Sequence, residues 1–225
     1  DLSPNFSTLA VVEARKNARL QDPTPKTRGK DGFTYLPGTK KEVAQLEKLM
    51  VVQGIKTQVL LDTFATEEQI KKLGTTNPSP AILHLATHGF FFPDPAQKGV
   101  SISSESRFAQ LEHPLLRSGL ALAGANQTWN TGHPVPGRED GILTAYEIAN
   151  MNLSGTQLAV LSACETGLGD IQGSEGVYGL QRAFKIAGVK RLIVTLWDVP
   201  DKQTAAFMSL FYEKWLGGLD IRTAF

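Results

Sequence analysis

The chain has 225 residues, of which 41% are hydrophobic and 20% charged, and its net charge is +1. This composition predicts a globular protein with a sizeable core, and the balanced charge gives no electrostatic reason to expect direct binding to nucleic acid or an anionic membrane. No apolar run approaches the roughly 18 residues of a membrane span and no signal-peptide pattern opens the chain, so we expect neither.

The chain has one cysteine, Cys164. A single cysteine excludes an internal disulfide and a cysteine-rich zinc site, and it is typical of a reducing compartment, so we expect a cytoplasmic protein. The chain begins with Asp1 and stops at Phe225 inside a predicted helix. We therefore expect a fragment of a longer protein.

Residues 1–32 are weakly patterned. Leu9 and Val12 have the spacing of one side of a helix, but residues 21–32 are polar and contain two prolines. We interpret residues 1–32 as a linker or the tail of an upstream element, and residues 33–225 as one domain whose C-terminal helix is truncated.

From residue 33 onward, helix and strand patterns alternate. Three capping boxes predict helix starts, at 39–42, 66–69 and 144–147. Apolar runs predict strands at 57–61, 81–86, 158–162 and 192–196, and helical spacing predicts longer helices at 175–187 and about 200–217. Strands separated by helices predict an α/β fold with a mostly parallel central sheet and helices on both faces.

Residues 93–141 interrupt this alternation. They are rich in proline, serine and glycine, with one convincing apolar run at 119–123. So long a stretch inside a compact domain is typical of a functional loop or a partly disordered segment, and we predict a long loop insertion here.

Two predicted strands end in residues that can carry chemistry. The strand at 81–86 leads into His88 and Gly89, and the strand at 158–162 leads into Cys164. Because ligands of open parallel sheets bind beyond the carboxyl ends of the strands, we expect both sites on one edge. A cysteine with a pKa of about 8.5 needs a neighbouring base to act as a nucleophile at neutral pH. The backbone N–H groups of Gly89 and Cys164 are candidates for an oxyanion hole.

Structural roles for these residues remain open. A cysteine at a strand end is more often a small buried residue, and a histidine there more often makes structural hydrogen bonds. His84 and His88 would lie about 13 Å apart along a strand, too far to share a zinc ion. We expect His84 to pack or hydrogen-bond within the sheet region, and we predict no metal ion and no cofactor.

Two segments resemble the signature segments of a known family. Residues 84–90, His-Leu-Ala-Thr-His-Gly-Phe, and residues 161–167, Leu-Ser-Ala-Cys-Glu-Thr-Gly, are similar to those of the CHAT domain. CHAT domains are caspase-like cysteine peptidases that are often attached to tetratricopeptide repeats. The similarity covers roughly residues 33–216, through shorter matches at 36–39, 175–179, 187–189 and 195–201.

The resemblance implies a caspase/separase-like fold and a catalytic dyad of Cys164 and His88. Such a dyad cleaves a protein substrate through a thioester acyl-enzyme. The resemblance also implies an upstream repeat domain or an activating protein partner, which we expect to reshape the segment at 93–141. Family analogy suggests a bacterial stress, defence or developmental pathway.

The wider caspase-like clan also indicates where the substrate would bind. There, the loop after the strand that follows the catalytic cysteine helps to form the pocket for the residue before the scissile bond (P1). Here that loop contains Trp197, Asp198 and Asp201, so either carboxylate is a candidate partner for a basic P1 side chain. Asp198 also lies where a helix N-cap is expected. Ser162 stands where the metacaspase branch has an aspartate, which weakens any transfer of that branch's preference for Arg or Lys.

Two other functions fit parts of the sequence. One is a non-catalytic pseudo-peptidase that serves as an interaction scaffold, although His88 and Cys164 are both present. The other is a nucleotide-binding domain, because the glycine-rich segment 167–173 follows a strand and precedes a helix. Its glycine spacing is not G-x-G-x-x-G, however, and Asp170 would repel phosphate.

Overall fold

The computed structural model describes residues 7–12, 32–33, 35–91, 113–162, 175–194 and 201–225. Within these residues the strands are β1 (Ser7–Val12), β2 (Lys56–Leu60), β3 (Ile82–Ala86), β4 (His88–Phe91), β5 (Ser118–Ala121), β6 (Ile142–Thr144), β7 (Leu158–Leu161) and β8 (Arg191–Val194). The α-helices are α1 (Pro37–Val52), α2 (Glu67–Lys71), α3 (Ala125–Thr131), α4 (Ala145–Ala149), α5 (Glu175–Ile186), α6 (Asp201–Leu216) and α7 (Ile221–Ala224).

Five strands form a parallel sheet in the order β2-β1-β3-β7-β8. The remaining three, in the order β4-β5-β6, form a separate antiparallel sheet. The predicted α/β fold with a mostly parallel sheet is therefore confirmed. The winding direction of the parallel sheet reverses between β1 and β3, and ligands of such sheets bind beyond the carboxyl ends of the strands at this reversal.

Alternate residues of the central strands pack against helices on opposite faces of the parallel sheet. Ile82 and Val160 belong to a buried cluster that includes residues of α1 and α6. Leu83 and Leu161 belong to a second cluster with residues of α4 and α5, among them the buried Phe184. The residues of β3 and β7 are apolar apart from His84, because both faces of these strands are covered.

Residues 7–12, which the sequence places in a linker or an upstream tail, form a central strand of this sheet. β1 pairs with β2 on one side and with β3 on the other. The helical spacing inferred from Leu9 and Val12 is therefore wrong. The partners of β1 are distant in the sequence: Ser7, for example, pairs with Lys56. Strand formation in so short a segment depends on such neighbours more than on the local spacing of apolar residues.

Part of the segment expected to be a loop insertion is folded. Residues 118–121 and 142–144 form β5 and β6, and α3 lies between them. These strands have four and three residues, too few to show a clear period in the sequence. Residues 92–112 lie outside the described residues, so the prediction of a loop stays a prediction there.

The three predicted capping boxes have different outcomes. At the start of α4, Thr144 and Glu147 cap each other as predicted, with bonds of 3.3 and 2.9 Å. Thr66 is the N-cap of α2, but its side chain makes no capping bond. α1 begins at Pro37, so Thr39 and Glu42 lie inside the helix and the predicted box at 39–42 is wrong. None of the helices in the described ranges is long and apolar enough to cross a bilayer.

Candidate active site

His88 lies at the carboxyl end of β3, where the chain passes from the parallel to the antiparallel sheet. Thr87 alone separates β3 from β4, and its hydroxyl donates a hydrogen bond to the carbonyl of Ala121. His88 pairs with Ala121, and Gly89 pairs with Leu120. His88 and Gly89 are both buried. The structure therefore places the predicted histidine at the expected edge, and it fixes that residue in a strand instead of a loop.

An aromatic side chain supports the imidazole of His88. The ring of Phe33 lies 5.6 Å from it, measured between centroids, with 35° between the ring planes. The side-chain amide of Asn126 holds the backbone of Phe33: it accepts from the Phe33 N–H at 2.6 Å and donates to the Phe33 carbonyl at 2.9 Å. Trp129 packs on the Phe33 ring at 4.9 Å. These contacts restrict the imidazole on one side.

The neighbouring strand β7 ends at the same edge. Leu161 pairs with Leu85, and the N–H of Ser162 donates to the Leu85 carbonyl at 2.9 Å, which extends the pairing by one residue. The structure therefore brings His88 and Ser162 to one edge.

Three of the predicted site residues lie outside the described residues, and a fourth is described only by its place in a helix. Cys164, Trp197 and Asp198 lie outside the described residues, so the dyad, the Cys164 part of the oxyanion hole and the 197–198 part of the P1 pocket stay predictions. Asp201 is the first residue of α6. The glycine-rich segment 167–173 also lies outside the described residues.

A buried polar network connects this edge to α1 and α6. Glu42 Oε2 accepts from the Ser162 hydroxyl at 3.0 Å, and Glu42 Oε1 lies 2.9 Å from His84 Nε2. His84 Nδ1 lies 3.2 Å from the Tyr212 hydroxyl. All four side chains are buried, with exposed fractions between 0 and 4%. We refer to Glu42, His84, Ser162 and Tyr212 as the Glu42 network.

The protons of the Glu42 network follow from its acceptors. A carboxylate can only accept, so His84 Nε2 carries a proton and donates to Glu42. Nδ1, the other ring nitrogen, lies 3.2 Å from the Tyr212 hydroxyl, which is the donor when the ring carries a single proton. Burial, and next the charge of Glu42, raise the pKa of Tyr212 well above its usual range, which keeps this donor protonated. The expectation that His84 hydrogen-bonds in the sheet region is confirmed.

Sequence reasoning missed the role of Glu42. It treated the residue as part of a capping box, although Glu42 precedes the apolar Leu46 by four residues and therefore shares its face of α1. Both residues are buried in the structure. The four-residue spacing from Leu46 was therefore the sequence feature that could have indicated a buried position for Glu42.

A second polar cluster lies where α2 meets the segment that includes β6 and α4. The ammonium of Lys71 contacts Glu67 and Glu147 at 2.8 Å each, and it also contacts Glu139. The second carboxylate oxygen of Glu67 accepts from the N–H of Gly141 at 2.9 Å. Within the described ranges, Glu67, Glu139 and Glu147 are close enough to share a metal ion. The Lys71 ammonium is already the cation of this cluster, which makes it an anchor between two parts of the fold.

The pKa values of two carboxyl groups in this cluster are shifted in opposite directions. Burial raises the pKa of Glu67 to about 9. Its neighbour Glu147 has a lowered pKa despite burial, because Lys71 and Thr144 donate hydrogen bonds to its carboxylate. Burial alone would lower the pKa of Lys71, but its hydrogen bonds to the carboxyl groups of Glu139, Glu147 and Glu67 raise it, so its ammonium stays charged.

We expect Glu67→Gln to remove a pH dependence of stability. Folded Glu67 keeps its proton up to about pH 9, whereas the unfolded chain releases it near pH 4.5. The folded state therefore binds more protons in this window, and the free energy of unfolding should fall as pH rises, by at most about 1.4 kcal/mol per pH unit. Urea unfolding at several pH values between 5 and 9 measures the slope, which should be smaller in the variant.

The matched control for this prediction is Glu68→Gln. Glu68 lies on the same helix, but its pKa is lowered, through hydrogen bonds that include the backbone N–H of Glu139. Glu68 therefore contributes to the pH dependence of the free energy of unfolding only at pH values below about 4.5. Equal slopes for the wild type and Glu67→Gln would contradict the assignment.

Comparisons with known proteins give one family model that matches nearly the whole chain and two curated relatives. The family model of the CHAT domain matches residues 3–225. Tetratricopeptide repeat protein 28 of Mus musculus is 28% identical over 182 residues, and its Homo sapiens counterpart is 27% identical over 187 residues. The alignments cover 78 and 80% of this chain, but the chain spans only about 7% of the length of these curated relatives.

One solved structure also aligns with the chain. The Streptococcus pneumonia TIGR4 flavodoxin aligns with 95% of this chain and 99% of its own, with a TM-score of 0.41 and 10% identity. A likeness this weak carries no argument about function.

Proposed function

Since the chain belongs to the CHAT family, whose domain is of the caspase-like cysteine peptidase type, we propose that it is a cysteine endopeptidase with Cys164 as nucleophile and His88 as base. The observation that carries this proposal is the position of His88 at the carboxyl edge of the parallel sheet, next to the strand that leads to Cys164. We also propose the caspase/separase-like arrangement that the family implies.

The strand register supports the pairing of the two residues. Leu85 pairs with Leu161, and His88 and Cys164 each follow their partner by three positions. Cys164 is two residues beyond Ser162, so chain connectivity keeps the two Cα atoms within about 7.6 Å. Neighbouring strands lie about 4.8 Å apart. These spacings support our proposal that the thiol of Cys164 meets His88 at this edge.

The proposed reaction follows the general scheme of a thiol nucleophile. His88 takes the proton of the Cys164 thiol, and the thiolate attacks the scissile carbonyl carbon. The carbonyl oxygen becomes an oxyanion that accepts from the backbone N–H groups of Gly89 and Cys164. The C–N bond then breaks as the imidazolium protonates the leaving amine. Water, deprotonated by His88, attacks the remaining thioester and releases the acid product and the thiol.

The substrate pocket belongs to the same proposal. Trp197, Asp198 and Asp201 would line the site for the P1 residue, and an aspartate there would attract a basic side chain. Asp201 is the first residue of α6.

A repeat-containing region is the proposed partner. Both mammalian relatives are named for tetratricopeptide repeats, and the chain corresponds to a small part of them. We propose that such a region, or a protein bound to it, activates the peptidase through the segment at 93–141. An interaction scaffold without catalysis is the alternative that the following test separates.

Labelling with peptide chloromethyl ketones tests the catalytic assignment. Because Cys164 is the only cysteine, a thiol-specific label reports on that residue alone. We expect a peptide chloromethyl ketone to react with the full chain much faster than with free cysteine, and His88→Ala to remove this advantage. Peptides that differ only at P1 would rank the preference for basic side chains. Labelling no faster than that of free cysteine, in the wild type and His88→Ala alike, would favour the scaffold.

A further inference from the structure

The Glu42 network ends at the residue that precedes the proposed nucleophile by two positions. Ser162 is held twice: its N–H donates to Leu85 and its hydroxyl donates to Glu42. The first bond continues the strand pairing of the sheet. The second bond comes from α1, a different element on the face of the sheet that α1 and α6 cover. Ser162 is therefore fixed both along the strand and across the sheet, immediately before the segment that carries Cys164.

Glu42 is an acidic residue on the buried face of α1, where most proteins have an apolar side chain. It is 1% exposed, and the next buried residues of the helix, Val43 and Leu46, are apolar. A buried carboxylate costs stability unless hydrogen bonds compensate for its lost hydration, and an apolar side chain of similar volume is often the more stable solution. Both oxygens of Glu42 are bonded within the protein, so the compensation is present. Stability alone does not account for the charge.

The remaining members of the Glu42 network orient the carboxylate. His84 lies in β3, four residues before His88, and donates to Glu42. Tyr212 in α6 holds the other nitrogen of the His84 ring. The carboxylate is thereby fixed relative to the strand that carries the proposed base, while it binds the residue that leads to the proposed nucleophile.

We propose that Glu42 is a positioning residue, which sets the location of the Cys164 thiol relative to His88 by holding Ser162. This inference rests on the proposed function, since it assumes that His88 activates Cys164. It assigns no direct contact between Glu42 and a substrate. Its consequence is that loss of the Glu42–Ser162 bond weakens the activation of the thiol even when the fold is intact.

Alkylation of the full chain by iodoacetamide tests this proposal, with the rate measured as a function of pH. The variants are Ser162→Ala, Glu42→Gln, Thr156→Val and His88→Ala, and the melting temperature of each is recorded. Small displacements of a reacting group have large effects on rate, so we expect Ser162→Ala and Glu42→Gln to slow alkylation at pH 7 by about tenfold. The midpoint of their pH profiles should move toward that of free cysteine.

Thr156→Val is the matched control, because it removes a buried hydrogen bond, from the Thr156 hydroxyl to the Pro80 carbonyl at 2.7 Å, that precedes β7 and lies outside the Glu42 network. We expect it to lower the melting temperature without changing the alkylation profile. Glu42→Gln adds a test of sign: removing a negative charge would by itself favour the thiolate and speed alkylation. Slower alkylation in this variant therefore supports positioning, and faster alkylation overturns it. If Glu42→Gln fails to fold, Ser162→Ala carries the test.

The failures of the two proposals are distinguishable. If His88→Ala slows alkylation but Ser162→Ala does not, the peptidase proposal stands and the positioning role of Glu42 is wrong. If the slowing follows the loss of melting temperature equally in Ser162→Ala and Thr156→Val, the network is only structural and the proposal is overturned. If His88→Ala leaves the rate unchanged, His88 does not activate Cys164, and both proposals fall.

Discussion

Replacing His88 by alanine is expected to lower kcat for peptide cleavage by a factor of about 100 to 10,000, the usual contribution of a general acid–base residue. The same side chain is proposed to deprotonate the thiol and to protonate the leaving amine, so both half-reactions lose it. Cys164→Ala should abolish cleavage altogether, because the chain has no second cysteine. The measurement uses a peptide selected from a library by the wild-type chain.

His133→Ala is the matched control for this prediction, since His133 is an exposed histidine of the same chain. It should cleave at the wild-type rate. His88 is buried and contacts Phe33, so its replacement can also disturb the fold. The comparison of rates is therefore valid only if the circular dichroism spectrum of His88→Ala is native. Wild-type turnover in a folded His88→Ala or Cys164→Ala variant would remove the basis of the proposed mechanism.

Lys71→Met is expected to have the largest effect on stability, a loss of about 2–4 kcal/mol at pH 7. Lys71 is the cation shared by Glu67, Glu139 and Glu147. The methionine would leave the carboxylates of Glu139 and Glu147 without their cation, beside the almost fully buried carboxyl group of Glu67. The expected value is below that of a fully buried pair because the Lys71 side chain is 31% exposed.

The sign of the pH dependence makes this prediction specific. Near pH 5 the carboxyl groups can take up protons and lose their mutual repulsion, so the difference in unfolding free energy between Lys71→Met and the wild type should shrink. Lys72→Met, on the exposed neighbouring residue, should change stability by less than about 0.5 kcal/mol. Urea unfolding of the three proteins at pH 5 and 7 measures both effects. A difference that grows toward acid pH would show that repulsion between the carboxylates is not its cause.

The sequence predicts the parts of the fold that local patterns determine. The run at 81–86 is apolar except for His84, the run ending at 161 is apolar throughout, and both form central strands covered on both faces. The capping box at Thr144 forms as predicted because all of its partners lie within one turn. His88 lies at the expected edge for the same reason, since it follows the end of a well-defined strand.

The features that the sequence did not predict depend on contacts between residues that are far apart along the chain. β1 needs β2 and β3, and β5 needs β4 and β6, before either segment is recognisable as a strand. Glu42 and Ser162 are 120 positions apart. No local spacing indicates that their side chains meet. The dyad stays a prediction from the CHAT resemblance and the strand register.

The separate sheet that begins at His88 has an evolutionary consequence. β4 and β5 pair from His88 with Ala121 to Phe91 with Ser118, and hydrogen bonding between these strands fixes the histidine whatever lies between them. Closing a longer flexible connection adds only about 0.6 kcal/mol for each doubling of its length. In evolutionary terms, the fold can accommodate a longer connection between these strands at little cost in stability, because the pairing of β4 with β5 sets the position of His88.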